Sequence, residues 1–121
     1  MKRCLIVDDS RVIRRVATKI VQELGFAAEE AENGEKALEA CRVRLPDLVL
    51  IDQEMPVMDG RTYLTALRTL SGGDKVVAIF CTTQSEVAEI ELALAAGADE
   101  YIMKPFDSDI VRSKFELLEL L

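Results

Sequence analysis

The chain contains no histidine and no tryptophan, and its 121 residues include only three cysteines. Without histidine, Ser-His-Asp and Cys-His catalysis are excluded, as are most zinc sites. Cys4, Cys41 and Cys81 each lie within an apolar segment, and an odd count argues against a disulfide framework. We therefore interpret them as buried side chains of a protein in a reducing compartment.

Long apolar runs are also missing. The first segment, MKRCLIVDDS, has four consecutive apolar residues, whereas a secretory signal needs about 7–15. No run reaches the length that spans a membrane, so we expect a cytoplasmic protein without membrane insertion. The net charge of −7, from 22 acidic and 15 basic residues, disfavours nucleic acid as a partner.

Half of the residues are apolar, which suits one domain over residues 1–121 with a single core. Short apolar runs alternate with segments of helical period. The predicted strands are 4–7, a weaker 26–31, 48–51, 76–81 and 100–103. Helices are predicted after Ser10, over 33–45, after Asp59, from about Ser85 to Ala96 and from near Asp107, with SGGD at 71–74 as a loop.

Five strand–helix units of this kind predict an α/β fold with a doubly wound parallel sheet. The stronger strands are apolar throughout, which is typical of strands buried on both faces. In such a sheet, ligands bind at the carboxyl ends of the strands. The residues that follow the predicted strands at this edge are Asp8 and Asp9, Asp52, Thr82 and Thr83, and Lys104 and Pro105.

Three converging carboxylates repel one another, since two unit charges about 4 Å apart cost about 4 kcal/mol at an effective dielectric near 20. Protonation or a hard divalent cation relieves this repulsion, and Mg²⁺ suits one or two carboxylates with several waters. A lysine and a hydroxyl beside that cation would surround a phosphoryl group. With no histidine-based nucleophile available, Asp52 is the best candidate to accept it as an aspartyl phosphate.

At this point the sequence resembles response-regulator receiver domains of the single-domain, CheY-like kind. The resemblance extends over the whole chain, through VDDS at 7–10, LIDQEMPVMDG at 50–60, CTT at 81–83 and YIMKPF at 101–106. It implies a flavodoxin-like sheet with strand order 2-1-3-4-5 and five helices. It also implies a receiver domain over residues 1–121 with no output domain.

The resemblance assigns roles to individual residues. It implies that Asp52 accepts a phosphoryl group from a sensor histidine kinase or phosphotransfer protein. Asp8, Asp9, Asp52 and the backbone carbonyl of Glu54 would hold Mg²⁺. Thr82 would be the switch hydroxyl, and Lys104 would pair with a phosphoryl oxygen ahead of a cis bond to Pro105. Tyr101 would change rotamer on activation.

Three further positions would tune the lifetime of the phosphoryl group: Glu54, Thr83 and Gln84. Thr83 departs from the family pattern, in which a small residue follows the switch hydroxyl. The implied output surface is the fourth helix, fifth strand and fifth helix, which would bind a downstream protein such as a flagellar motor component. We expect a monomer, with a dimer through that surface as the alternative.

Other functions remain open from the sequence. A phosphorelay or cell-cycle shuttle would use the same residues for a different output, and the preference for chemotaxis is weak. A phosphatase of the haloacid dehalogenase type would use Asp52 and Glu54, but its motif normally follows the first strand. Asp8 and Asp9 argue against a flavodoxin-like cofactor site, because they would repel a phosphate. The full set of acids, hydroxyl and lysine argues against a receiver that binds partners without phosphorylation.

Overall fold

Five parallel strands form one sheet in the order β2-β1-β3-β4-β5 in the computed structural model, which describes residues 1–83 and 87–121. The strands are β1 (Arg3–Val7), β2 (Ala27–Ala31), β3 (Leu48–Asp52), β4 (Val77–Thr82) and β5 (Glu100–Met103). The helices are α1 (Arg11–Glu23), α2 (Gly34–Val43), α3 (Gly60–Thr69), α4 (Val87–Ala95) and α5 (Ser108–Leu117). The predicted fold class and strand order are confirmed.

Four of the helices begin at a capping side chain that accepts a hydrogen bond from the third helical backbone N–H, which has no partner within the helix. These caps are Ser10, Asn33, Asp59 and Asp107. All four caps lie where the sequence analysis predicts a helix to start. Each cap follows a strand by a few residues, so the helices start at the edge where the strands end.

The core lies in two layers, one on each face of the sheet. Val49 and Ile51 of β3 face one layer, which includes Tyr63 and Leu67 of α3. The alternate residues of β3 face the other layer, which contains residues of α1 and α5. All residues of β3 before Asp52 are buried, as the apolar run predicted. This burial fixes the position of the central strand, and with it the position of Asp52.

Several details differ from the sequence prediction. The strand β4 begins one residue later than the apolar run and extends to Thr82. The predicted SGGD loop contains a 3₁₀ turn over Gly73–Lys75. The α4 helix is described from Val87, and the predicted start at Ser85 lies outside the described residues. Among the described helices, none combines the length and apolar character needed to cross a bilayer.

The outward faces of the helices also carry more apolar residues than the periodicity suggested. In α1, Val12 is 69% exposed, although it belongs to the apolar repeat that predicted the helix. In α5 the core residues are Val111 and Phe115, whereas Ile110 and Leu117 are exposed. An apolar repeat wider than the buried stripe therefore leaves apolar side chains on the surface.

The register of the strands brings the functional residues to one edge. Val7 pairs with Ile51, and Ile51 pairs with Phe80, so the residues that follow these strands lie side by side. Thr82 pairs with Met103, and the Lys104 backbone N–H donates to the Thr82 carbonyl at 2.8 Å. Residues far apart in sequence therefore meet because parallel strands end together.

Gly60 lies directly behind the strand end that carries Asp52. A Cβ at Gly60 would contact the Asp52 carbonyl oxygen, and it would lie 2.9 Å from Ile51 Cγ2 and 3.0 Å from Phe80 Cε1. These neighbours belong to buried strands, so they have little freedom to move away. The absence of a side chain at Gly60 thus allows α3 to start against the strand that carries Asp52.

We predict that Gly60→Ala lowers the free energy of unfolding by about 1–3 kcal/mol, the usual cost of overpacking a filled site. Urea denaturation followed by circular dichroism measures this change. Thr65→Ala, at an exposed position of the same helix, is the matched control and should change stability little. Equal stability of Gly60→Ala and wild type would contradict the close packing described for this site.

Candidate functional site

Three carboxylates converge at the carboxyl edge of the sheet. One side-chain oxygen from each of Asp8, Asp9 and Asp52 lies within 4.8 Å of the others. Asp8 is 3% exposed, Asp52 is half-buried and Asp9 is exposed. The cluster predicted from the sequence therefore forms, with its members graded from the interior to the solvent.

Lys104 neutralises part of this charge. Its Nζ donates to Asp8 Oδ2 at 2.7 Å and to Asp52 Oδ1 at 3.1 Å. Burial alone would lower the pKa of Lys104, but the hydrogen bond to Asp8 and the charges of Asp52 and Asp8 outweigh it and raise the pKa. The lysine is therefore charged at neutral pH and holds two acids together that would otherwise repel each other.

The pKa of Asp52 is raised above its ordinary value. Burial is the largest cause, Lys104 opposes it, and the charges of Asp8 and Asp9 add to it. The charged form of this carboxylate is therefore less stable than that of a freely solvated aspartate. A cation that approached this carboxylate would stabilise the charged form.

Asp8 is fixed by contacts on several sides. Its side-chain oxygen accepts from the Ser10 backbone N–H at 2.9 Å, and its carbonyl accepts from Arg14 Nη1 at 2.7 Å. Arg14 is in turn paired with Glu30 on β2, at 3.0 Å from Nε. The sequence analysis did not single out Arg14, because an arginine in an amphipathic helix gives no signal that it turns back onto a strand end.

The remaining predicted site residues surround the cluster. Thr82 ends β4 and is half-buried, while Thr83 and Glu54 are exposed. The peptide bond between Lys104 and Pro105 is cis, the isomer that the family resemblance implied. The proposed tuning residue Gln84 lies outside the described residues.

A cavity of about 310 Å³ extends from the carboxylates toward α4. Its lining includes the polar residues Asp52, Thr82, Thr83 and Lys104 and the apolar residues Phe80, Ile90 and Ala93. Glu54, Gln53, Arg61 and Glu89 also border it. The cavity therefore joins the charged edge of the sheet to the inner side of α4.

Tyr101 also lines this cavity, from its position on β5. Lys114 Nζ of α5 lies 4.8 Å from the centre of the Tyr101 ring, within the range of a cation–π contact. Lys114 pairs with Glu100 at 3.3 Å, and this pairing holds the ammonium over the ring. The ring thus has a cation from α5 beside it and an open space next to it.

The donor set fits a hard divalent cation. The carboxylate oxygens of Asp8, Asp9 and Asp52 are close enough together to share one ion, and Mg²⁺ prefers oxygen ligands with only one or two carboxylates and several waters. Lys104 supplies one positive charge against three negative ones. A divalent cation would therefore complete the charge balance of the cluster.

The position of Asp52 also bears on the alternatives left open above. It ends the central strand β3, whereas the phosphatase motif normally follows the first strand. The residues that follow β1 are acidic, so this edge repels the phosphate of a flavodoxin-like cofactor. A phosphoryl group could approach the same acids only with positive charge beside them, and Lys104 supplies one such charge.

Comparisons with known proteins agree with this geometry. The sequence matches the family described as "Response regulator receiver domain" over residues 4–116. It is 37% identical over 110 residues to the chemotaxis protein CheY of Halobacterium salinarum, covering 91% of this chain and 90% of that protein. It is 37% identical over 105 residues to the DNA-binding response regulator MtrA of Mycobacterium tuberculosis, covering 87% of this chain and 45% of that protein.

The structure is similar to that of the chemotaxis response regulator CheY4 of Vibrio cholerae. The TM-score is 0.91 at 29% sequence identity, and the match covers 100% of this chain and 99% of that chain. The similarity thus includes every strand and helix described above.

We predict that Lys104→Met raises the pKa of Asp52 further in metal-free protein, because the lysine is the neighbouring charge that lowers it. Carbon-13 NMR of the carboxyl groups during a pH titration measures this value. Lys75→Met, at an exposed lysine just before β4 and so at the opposite end of the strands, is the control. An unchanged pKa in Lys104→Met would show that the lysine does not balance this acid.

Proposed function

Since the chain belongs to the family of response regulator receiver domains, we propose that it is a phosphorylation-controlled switch with Asp52 as the phosphoryl acceptor. The observation that supports this most directly is the bridge from Lys104 to Asp8 and Asp52 at the edge of the sheet. The bridge brings an ammonium group, the candidate nucleophile Asp52 and one further acid, Asp8, into contact, with an Asp9 oxygen within 4.8 Å of both carboxylates.

Transfer begins when a carboxylate oxygen of Asp52 attacks the phosphorus of a phosphohistidine on a partner kinase or phosphotransfer protein. The new P–O bond forms as the P–N bond breaks, and the imidazole leaves with the electron pair and takes a proton from solvent. Lys104 already contacts Asp52, so its ammonium group can pair with a phosphoryl oxygen once the phosphoryl group is bound there. Thr82 borders the same cavity and can direct its hydroxyl to another oxygen.

Asp8, Asp9, Asp52 and the Glu54 carbonyl are the groups that we propose hold Mg²⁺. The chemistry that a bound Mg²⁺ supplies is positive charge against the phosphoryl oxygens. Asp8 is well suited to this role, since Ser10, Arg14 and Lys104 all contact it and limit its motion. Glu54 contributes a backbone carbonyl, so its side chain is free to act on the cavity.

The cavity next to Tyr101 provides the route from phosphorylation to output. Thr82 and Tyr101 both line it, so movement of the hydroxyl toward a phosphoryl group would open space for the ring to turn inward. The ring would then leave Lys114 of α5. This movement would alter the packing of α4 and α5, whose surfaces are the proposed output face.

The output face carries apolar side chains that a partner could cover. In α4 these are Val87, Leu92 and Leu94, and in α5 they are Ile110 and Leu117, all of them exposed. We propose that this face binds a downstream protein in chemotaxis or motility signalling, such as a flagellar motor component. The similarity to chemotaxis proteins supports this output, while the equal percentage identity to MtrA, over 45% of that protein, supports a role in another two-component pathway as the alternative.

We predict that acetyl phosphate and Mg²⁺ add the mass of one phosphoryl group to the wild-type protein, and that Asp52→Asn abolishes the addition. Intact-mass spectrometry measures both. Asp74→Asn, at an exposed acid far from the carboxylate cluster, is the matched control and should accept the group like wild type. Equal phosphorylation of wild type and Asp52→Asn would refute the assignment of Asp52.

We also predict that Glu54→Gln speeds phosphorylation by acetyl phosphate about two- to threefold at low salt. The Glu54 carboxylate borders the cavity and repels the anionic donor, by about 0.6 kcal/mol for two charges ~7 Å apart in water. The difference should shrink at high salt, where the charges are screened. Glu91→Gln, exposed on α4, is the control. A gain that persists at high salt would point to a cause other than charge.

A further inference from the structure

Gln53 directly follows Asp52, and its contacts tie the end of β3 to the beginning of α3. Its backbone carbonyl accepts from the Gly60 N–H at 3.1 Å. Its side-chain Oε1 accepts from the Arg61 backbone N–H at 2.9 Å. The Thr62 backbone N–H is the main cause that lowers the pKa of Asp59, and the Gln53 side chain adds a smaller contribution, so the two side chains lie close together. The Gln53 side chain therefore lies against the first turn of α3.

These contacts close the loop over residues 53–61. Asp59 is the cap of α3 and accepts from the Thr62 N–H at 2.8 Å, while Arg61 offers one of the N–H groups that a helix start leaves without an internal partner. Gln53 thus binds two N–H groups of the first turn of α3, those of Gly60 and Arg61. The two ends of the loop are held at a fixed separation as a result.

The loop between those ends needs such support. Met58 N–H donates to the Pro56 carbonyl at 2.8 Å, which makes a tight three-residue turn around Val57. Val57 has a φ of 72°, a left-handed conformation that is costly for a β-branched residue. Val57 is also 74% exposed, so packing of its side chain contributes little to hold the turn. Contacts of the neighbouring residues stabilise the turn instead: the Met58 carbonyl accepts from the Gly34 N–H at 3.2 Å, Met55 and Met58 pack against the core, and Gln53 binds the start of α3.

We propose that Gln53 is a positioning residue for the metal site, because its side chain clamps the loop that carries the Glu54 carbonyl. This inference rests on the proposed function, in which that carbonyl joins Asp8, Asp9 and Asp52 as a ligand. A backbone carbonyl in an exposed loop has no strand ladder to hold it. Gln53 restrains this carbonyl from the residue next to it, through its hydrogen bond to the Arg61 N–H and without touching the ion itself.

Replacement of Gln53 by methionine tests the clamp. Gln53→Met keeps the length of the side chain and removes its hydrogen bond to the Arg61 N–H and its polar group beside Asp59. We expect the Mg²⁺ dissociation constant, measured by isothermal titration calorimetry, to rise about tenfold, as for other residues that orient metal ligands. At saturating Mg²⁺ the rate of phosphorylation by acetyl phosphate should return to within about twofold of wild type, because the groups that contact the phosphoryl oxygens remain.

A swapped pair tests the same contact without loss of polarity. Gln53→Glu keeps the acceptor for Arg61 but sets a carboxylate against Asp59, so Mg²⁺ binding should weaken. Adding Asp59→Asn restores a donor and an acceptor in exchanged positions, keeps a good helix cap and returns the net charge to that of wild type. We expect the double variant to regain Mg²⁺ affinity to within about threefold of wild type. Asp59→Asn alone measures the effect of the cap change.

Three results would overturn the inference: Gln53→Met binds Mg²⁺ as tightly as wild type, Gln53→Glu binds it more tightly, or the double variant fails to recover. Loss of stability in metal-free Gln53→Met with unchanged Mg²⁺ affinity would show a structural role alone. If Gln53→Met does not fold, the comparison of Gln53→Glu with the double variant decides. Wild-type protein that takes up no Mg²⁺ would instead refute the proposed function.

Discussion

The repulsion among Asp8, Asp9 and Asp52 is the constraint on which the rest of the site depends. Their side-chain oxygens lie within 4.8 Å of one another, and one of the three residues is almost fully buried. Such a cluster is stable only with nearby positive charge, and Lys104 supplies it through contacts to two of the acids. The site therefore favours a bound cation. It also favours an anionic group beside Asp52 that Lys104 can contact.

The sheet and its helices provide the rigid support that this cluster of repelling charges needs. Five parallel strands end at one edge, and the helices start there with capped first turns. Arg14, Ser10 and Lys104 fix Asp8 from three directions, and Gly60 lets α3 start directly behind Asp52. The mutually repelling acids thus lie at or next to the ends of rigid strands, while Gln53 holds the loop over 53–61. Rigid support of this kind is what a site needs to bind a charged group without rearranging.

The same edge of the sheet is connected to a surface that a partner protein could contact. The cavity beside Asp52 reaches Tyr101 and the inner side of α4, and Lys114 of α5 lies over the ring. A small change at the carboxylates therefore has a short physical route to two helices whose exposed faces carry apolar residues. In the proposed switch, two packing arrangements of the Tyr101 ring would be enough, because a packed core does not deform gradually.

Much of this was accessible from the sequence. The apolar runs predicted the strands, and the residues that follow them, Asp8, Asp52, Thr82 and Lys104, were predicted to share one edge. Strand burial and helix capping are local properties, so one-dimensional patterns report them well. Even so, apolar spacing did not separate core from surface: Val12 and Leu117 fit the pattern but are exposed.

What only the tertiary structure decided are contacts between residues distant in the chain or in loops. Arg14 reaches back to the Asp8 carbonyl, Lys104 bridges two acids, and Gln53 clamps the start of α3. None of these follows from residue type, because a long polar side chain can reach many partners and its choice depends on how the strands and helices are packed. The sequence by itself determined which chemical groups are present at the edge and in what order. The folded chain decided their distances, their burial and hence their charge.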